Sequence, residues 1–399
     1  MSMTGRERIH AALKGEPLDR VPFAINLWNW FYAQKHWGWL ADDKKHLQTP
    51  IEFLIDIGAD ILSRWDGQIK GRAGLGDYVQ FPNGKLEKWF TGDKPPKPIV
   101  TAFNTYTEGT KVHQRLETPH GELTQTWRFT EESCADFEEK YWVDDFDKQY
   151  DVVKFIFEDR TYAYELDEYR RDIAAIGEHG VVMVEIPENP FKTLHWLCGP
   201  EKAILAIMDY PERAAELCEI HAAKTCEFVR EVCKRTTYDE TPLLMSNDNL
   251  DAMLFPPFMF EEYLYKYYRA VADEVHKHGR LFCVHSCGNN WDIRHCIRDS
   301  GIDMMEGLTP PDLGNFPLEK ARSEMGSNFI IEGGMYCYHQ EIKKGAREAI
   351  DDYTRTLFDG MGDKQRFIYA SSCTTSPLTS YDNVLHFRDS CWRHGKMGG

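Results

Sequence analysis

The chain has 399 residues, of which 42% are hydrophobic, and a formal net charge of −17 at pH 7. A chain this acidic is poorly suited to bind nucleic acid or an anionic membrane, because both require a basic face. Its 11 cysteines are odd in number and irregularly spaced, which indicates free thiols in a reducing compartment. No signal peptide or transmembrane stretch is predicted, so we expect a cytoplasmic protein.

The first part of the chain predicts two helices and two strands. Thr4 and Glu7 have the spacing of a capping box, which predicts a helix over residues 4–14. Apolar runs at 21–27 and 59–65 predict the first two strands, and a helix over 50–57 separates them.

The next part, residues 67–147, reads as a β-rich insertion within a single domain spanning 1–399. Pro82-Asn83-Gly84 lies between apolar runs at 78–81 and 86–90 and predicts a hairpin. The turn at 118–121 predicts a second hairpin, between 112–117 and 122–129.

After residue 147, helical patterns alternate with short apolar runs. Helices are predicted here over 200–207, 211–235 and 258–277. Counting the two runs near the N-terminus, there are eight predicted strands. This alternation predicts an α/β fold, namely a (β/α)8 TIM barrel with a β-rich insertion after the second strand. The strands predicted here are 181–185, 243–246, 281–284, 302–305, 329–331 and 366–370.

A His-x-Cys-Gly turn follows the fifth predicted strand, and it suggests a metal site. Residues two apart in an extended segment point to the same side, so His285 and Cys287 can approach one ion. Cys373, which follows the eighth strand, is the candidate third ligand. Imidazole and thiolate ligands favour zinc, and three protein ligands leave one position open, as in catalytic sites. The alternative is that both cysteines are ordinary buried thiols.

Polar and aromatic side chains also collect at the predicted strand ends, where barrel enzymes carry their catalytic groups. Polar residues commonly begin loops, and aromatic residues commonly pack in cores, so each position alone has an ordinary explanation. As a set, the carboxylates are candidate acids or extra zinc ligands, and the aromatic and amide side chains are candidate substrate contacts. The carboxylates are Glu185, Asp248, Glu306 and Glu332; the substrate contacts are Asn26, Trp28, Trp30, Phe31, Trp65, Asn247 and Tyr336.

Two segments resemble the uroporphyrinogen decarboxylase superfamily, and one of them resembles its methyltransferase branch. Residues 254–289 read LFPPFMFEEYLYKYYRAVADEVHKHGRLFCVHSCGN, and residues 6–22 read RERIHAALKGEPLDRVP. The first resembles that branch, whereas the second is similar to the opening of the superfamily as a whole. The chain departs from the decarboxylases after the first strand, where NLWNWFYAQ replaces their arginine cluster. A tetrapyrrole substrate is therefore not expected.

The resemblance implies a barrel enzyme with zinc held at His285, Cys287 and Cys373. It also implies methyl transfer to or from a corrinoid (cobalamin) carried by a small partner protein. We expect O-demethylation of a small methoxylated aromatic compound, because the aromatic residues suit a flat ring and zinc or an acid can assist departure of a phenolate. Methylamine or betaine demethylation, methylation of a thiol such as coenzyme M, and a non-catalytic zinc barrel stay open. The sequence also leaves open a homodimer.

Overall fold

The computed structural model describes residues 2–65, 79–91, 98–100, 105–107, 111–130, 135–162, 166–311, 313–335 and 346–397. Eight strands in these ranges form one parallel sheet. Most are short and apolar on both faces, as expected for strands covered by helices. In chain order they are Phe23–Ala24 (β1), Ile61–Trp65 (β2), Gly180–Ile186 (β3), Leu243–Ser246 (β4), Leu281–His285 (β5), Met304–Leu308 (β6), Ile330–Met335 (β7) and Phe367–Ser371 (β8).

The strand order is that of a nearly closed barrel. Each of β2 to β8 pairs in parallel with the next, and β8 pairs with β1. The remaining seam is narrow, because the backbone N–H of Asp60, just before β2, donates to the carbonyl of Phe23 in β1 at 2.8 Å. The predicted α/β barrel is therefore confirmed.

Helices connect the strands and cover the barrel. The Thr4 side chain and Glu7 form the predicted capping box at the start of the first helix. The α-helices are Gly5–Lys14 (α1), Trp28–Trp37 (α2), Pro50–Asp56 (α3), Tyr150–Asp159 (α4), Leu166–Ile176 (α5), Pro190–Cys198 (α6), Pro200–Asp209 (α7), Pro211–Arg235 (α8), Tyr265–Lys277 (α9), Arg294–Asp299 (α10), Ala321–Met325 (α11), Ala346–Met361 (α12) and Tyr381–His394 (α13). A short turn of helix, Pro257–Met259, and a π-helical turn, Phe260–Leu264, lead into α9.

The barrel interior is apolar at its N-terminal end, and α1 packs against it. Ile9, Ala12 and Leu13 of α1 are buried in one cluster with inward-facing strand side chains such as Met183 and Ile330. The helix thus fills the end of the barrel where the strands begin.

Further strands lie between β2 and β3 in the chain, in the part predicted to be a β-rich insertion. Lys85–Thr91, Lys111–Thr118, Gly121–Thr130 and Ala135–Lys140 form an antiparallel sheet. The second predicted hairpin is confirmed, because Lys111–Thr118 pairs with Gly121–Thr130.

The first predicted hairpin is wrong. Val79–Gln80 pairs with Thr161–Tyr162, which follows α4, while Lys85–Thr91 pairs with Lys111–Thr118. The side chain of Asn83 donates to Asp159 at 2.7 Å, so this turn is held by α4 rather than by a hairpin of its own. Within the described residues, no helix is long and apolar enough to cross a membrane.

Candidate functional site

A layer of charged side chains lies inside the barrel near the carboxyl ends of the strands. In β2, β5 and β6, the residues two positions before Arg64, His285 and Glu306 belong to the buried apolar interior or pack against it. Strand side chains alternate in direction, so these three also face inwards, one layer nearer the barrel mouth. Glu185 of β3 and Glu332 of β7 have the same phase.

The three predicted metal ligands come together at this mouth. His285 is the last residue of β5, Cys287 follows two residues later, and Cys373 lies two residues beyond β8. One ligand atom from each lies within 4.8 Å of the other two. An imidazole with two thiols is a donor set suited to zinc, and it leaves a fourth position for a water molecule or substrate.

The ring of His285 is held from its Nδ1 side. Glu306 Oε2 is hydrogen-bonded to this nitrogen, and Arg64 Nη2 lies 2.7 Å from it. Arginine can only donate hydrogen bonds, so a protonated Nδ1 donates its hydrogen bond to the Glu306 carboxylate. The other ring nitrogen, Nε2, is then the one available to a metal ion. Metal-binding histidines in proteins are commonly oriented by a carboxylate in this way.

The Arg64–Glu306 ion pair determines the charge of the layer. Arg64 Nε donates to Glu306 Oε1 at 2.9 Å, and both side chains are largely buried. Burial opposes ionisation of Glu306, but Arg64 and then His285 lower its pKa to about 2. Glu306 also raises the pKa of His285 against the effect of burial. The pair therefore keeps a carboxylate beside the imidazole.

The two cysteines interact directly. A hydrogen bond with Cys287 lowers the pKa of Cys373 well below its usual value, in spite of burial, and His285 lowers it further. The same bond, together with burial, raises the pKa of Cys287. Cys373 is thus the thiol that ionises more readily, and thiolates are the form in which cysteines bind metals.

Asn249 fixes the position of Cys287 and has an unusual backbone conformation. Its φ is +49°, in the left-handed region that asparagine tolerates better than most residues. Its N–H donates to the carbonyl of His285 at 3.0 Å, and its Nδ2 donates to Cys287 Sγ at 3.3 Å. The loop after β4 thereby supports the ligand-bearing turn after β5.

Gly307 allows the close approach of β6 to His285. The register of β6 against β7 shifts between Met305 and Leu308, and Gly307 has a φ of +81° in this irregularity. A Cβ atom there would lie 2.7 Å from His285 Cε1 and 3.0 Å from the carbonyl oxygen of Ser372. Only glycine fits this position without a shift of the imidazole.

Glu332 is a carboxyl group of this layer that resists ionisation. It is buried, and its Oε2 accepts the N–H of Gly307 at 3.0 Å. Burial and the nearby charge of Glu306 raise its pKa well above the ordinary value. Glu185 contributes negative charge near Arg64. The layer therefore combines a carboxylate that is held ionised with a carboxyl group that resists ionisation.

The fourth candidate carboxylate, Asp248, lies elsewhere. It is fully buried, its Oδ1 accepts the N–H of Asn189 at 2.6 Å, and its Oδ2 accepts the Tyr268 hydroxyl proton at 2.7 Å. These bonds join the loops after β3 and β4 to the helix α9. Asp248 is thus a support for the mouth rather than a member of the charged layer.

The predicted substrate contacts are distributed between the mouth and the core. Asn26 follows β1, and Asn26 and Asn247 are half-buried, as is Trp28. In contrast, Trp30 and Phe31 are fully buried in α2 and pack against Phe53, with ring centroids 5.1 and 5.8 Å away. The structure therefore assigns these two rings to the hydrophobic core. The side chain of Trp65 and all of Tyr336 lie outside the described residues.

Sequence reasoning missed Arg64, Asn249 and Gly307. A signal for Arg64 is present, because it is a lone charge in the apolar run of β2, in phase with the inward-facing Leu62. The roles of Asn249 and Gly307 depend on contacts between neighbouring strands and loops. No local sequence pattern reports such contacts.

One solved structure shares the fold over nearly the whole chain. A methyltransferase from Methanosarcina mazei aligns over 98% of this chain and 99% of its own, with a TM-score of 0.58 and 13% sequence identity. An enolase from alpha proteobacterium bal199 gives a TM-score of 0.26 at 12% identity, with 79% and 81% of the two chains covered. A GH5 xyloglucanase from Bacteroides ovatus gives 0.30 at 8% identity, with 78% and 99% covered.

At the sequence level, no curated protein matches the chain. The model of the uroporphyrinogen decarboxylase (URO-D) family matches residues 174–394, which is more than half of the chain and includes β3 to β8 with His285, Cys287 and Cys373. The chain therefore belongs to the uroporphyrinogen decarboxylase family.

Proposed function

We propose that this protein is a zinc-dependent methyltransferase that transfers a methyl group from a methoxylated aromatic compound to the cobalt of a corrinoid protein. The observation that carries the proposal is the convergence of His285, Cys287 and Cys373 at the mouth of a barrel of this family. The Methanosarcina mazei methyltransferase, which shares the fold over nearly the whole chain, supports methyl transfer as the type of reaction.

The donor set fits a zinc ion by its chemistry. It has one imidazole oriented by a carboxylate and two thiols, one of which has a lowered pKa. Zinc bound there would act as a Lewis acid on an oxygen at the open coordination position. Arg64 and Glu306 would hold the imidazole in place throughout the reaction.

The raised pKa of Glu332 supports an ether rather than a thiol as the substrate. When the O–CH₃ bond of an aryl methyl ether breaks, the methyl group passes to reduced cobalt, whose electron pair forms the new Co–C bond. The electron pair of the broken bond stays on the phenolate oxygen, which needs a proton or another electrophile. A buried carboxyl group with a raised pKa is suited to donate such a proton, whereas methylation of a thiol requires no such donor.

Exposed apolar side chains in the loops around the mouth favour a protein partner. Met253, Phe258, Leu313 and Leu378 lie in or near the segments that follow β4, β6 and β8, and all are exposed, with Met253 at 78% and Leu378 at 56%. Exposed apolar side chains in the loops at one end of a barrel are suited to contact a protein partner. A corrinoid protein seated on these loops would bring its cobalt close to the charged layer.

The test is an anaerobic spectroscopic assay with the purified zinc-loaded protein, a reduced corrinoid protein and a panel of methoxyarenes, methylamines, betaines and methylthiols. We expect methylcorrinoid to form only with methoxyarenes. Cys287→Ala and Cys373→Ala should abolish its formation, whereas Cys226→Ala, on the outer helix α8, should not. Reaction with another class instead would replace the proposed donor, and silence with the whole panel would contradict demethylation.

A further inference from the structure

Three potential metal ligands also meet on the outside of the barrel, among residues with no part in the mouth. Glu261 lies in the π-helical turn before α9, and His295 and Cys296 lie in α10. One ligand atom from each lies within 4.8 Å of the other two. We call these three residues the peripheral cluster.

The distances within the peripheral cluster are too long for strong hydrogen bonds. His295 Nε2 is 3.7 Å from Glu261 Oε1, and Cys296 Sγ is 3.9 Å from the same oxygen. A charge-assisted N–H···O bond between imidazole and carboxylate would be ~2.8 Å long. The three groups therefore face one another across a gap that direct contact does not fill.

A zinc ion fits this gap. With Zn–N and Zn–O distances of about 2.1 Å and a Zn–S distance of about 2.3 Å, a tetrahedral site separates N from O by about 3.4 Å and S from O by about 3.6 Å. The observed separations of 3.7 and 3.9 Å exceed these by ~0.3 Å. Small side-chain rotations would close such a difference.

The surroundings suit a site that an ion can enter from solvent. Cys296 is 3% exposed, so its sulfur forms the floor, whereas the side chains of His295 and Glu261 are 44% and 62% exposed. Glu261 also belongs to a π-helical turn, a rare element that often marks functional positions in helices. A water molecule would complete four ligands from the open side.

We propose that the peripheral cluster is a second zinc site, held by Glu261, His295 and Cys296. It would join the helix that follows β4 to the helix that follows β5. The loop that carries Cys287 connects β5 to α10. An ion bound to α10 would therefore restrict the motion of the loop that holds Cys287. The proposal does not depend on zinc at the mouth.

Metal analysis after loading with Zn²⁺ and removal of the excess tests the site. His295→Gln and Cys296→Ser should each lower the bound zinc by one equivalent per chain. The exposed neighbour variant Glu262→Gln should leave it unchanged. His295→Gln is the decisive variant, because its exposed side chain can change without affecting the fold, which circular dichroism would check.

A cobalt-loaded double variant, Cys287→Ala with Cys373→Ala, separates the two sites. It lacks both thiols of the mouth, so a near-ultraviolet thiolate-to-cobalt charge-transfer band in it would come from another cysteine, which we expect to be Cys296. That band should disappear when Cys296→Ser is added. Unchanged zinc in His295→Gln, or absence of the band from the double variant, would overturn the proposal whether or not the protein has methyltransferase activity.

Discussion

Replacing Gly307 with alanine should weaken zinc binding at the mouth, an effect that backbone strain alone would not cause. The new Cβ would lie 2.7 Å from His285 Cε1, and an ordinary contact begins at 3.4 Å, so the imidazole must move by ~0.7 Å. Functional sites require their groups to stay within ~0.5 Å of the working position. We therefore expect zinc affinity to fall by about 10- to 100-fold, the range seen when the support of a metal ligand is lost.

The backbone alone contributes a second, separable effect. Alanine in the left-handed region costs ~1–2 kcal/mol of stability at any position. Gly279→Ala is the matched control, because Gly279 has a φ of +65° and a Cβ atom added there would meet nothing within 4 Å. Both variants should lose a similar part of their unfolding free energy from backbone strain, but only Gly307→Ala should lose zinc affinity.

Zinc dissociation constants from competition with a chromophoric chelator, together with urea denaturation curves, would measure both quantities. Zinc binding by Gly307→Ala as tight as that of the wild type would contradict a role of Gly307 in positioning His285. Loss of affinity to the same extent in Gly279→Ala would show general destabilisation instead.

Three further predictions follow from the charged groups. Arg64→Met leaves the buried Glu306 carboxylate without its cation and should lower the unfolding free energy by ~3–5 kcal/mol in urea denaturation, whereas Arg64→Lys should lose less. Glu332→Gln should slow methylcorrinoid formation from an unactivated methoxyarene by about 10²- to 10⁴-fold, and less for an ether whose phenolate is a weak base; equal slowing for both would argue against proton donation. Burial, and then Lys192, lower the pKa of His195 from 6.5 to about 4, so the unfolded state binds more protons between these values and stability should fall as the pH drops from 6.5 to 4. Thermal unfolding should show a shallower fall over this range in His195→Asn, and an unchanged slope would contradict the assignment.

The barrel, and the convergence of His285, Cys287 and Cys373 at its mouth, could be predicted because their signals are local. The strands are short apolar runs, and their polar ends fall at one end of a parallel barrel whatever the details of pairing. His285 and Cys287 are two residues apart at a strand end, so the alternation of an extended chain brings them together. To predict that Cys373 lies at the same end of the barrel, it was enough to locate the strand that precedes it.

What the sequence could not reveal depends on distant contacts. Val79–Gln80 looks like half of a hairpin, but its partner is Thr161–Tyr162, about 80 residues away along the chain. Trp30 and Phe31 follow a strand as substrate-binding aromatics would, yet they lie in a helix whose inner face packs on Phe53. In both cases the sequence pattern indicated the kind of structure, but residues distant in the chain determine what each segment contacts.

The helix α1 imposes an order on the proposed reaction. Because it fills the end of the barrel where the strands begin, the methyl donor and the cobalt must both reach the charged layer through the opposite end. A docked corrinoid protein would cover that entrance. The aromatic donor must then bind first, and the phenol must leave last, so we expect compulsory-order kinetics in which excess corrinoid protein traps the bound aromatic compound.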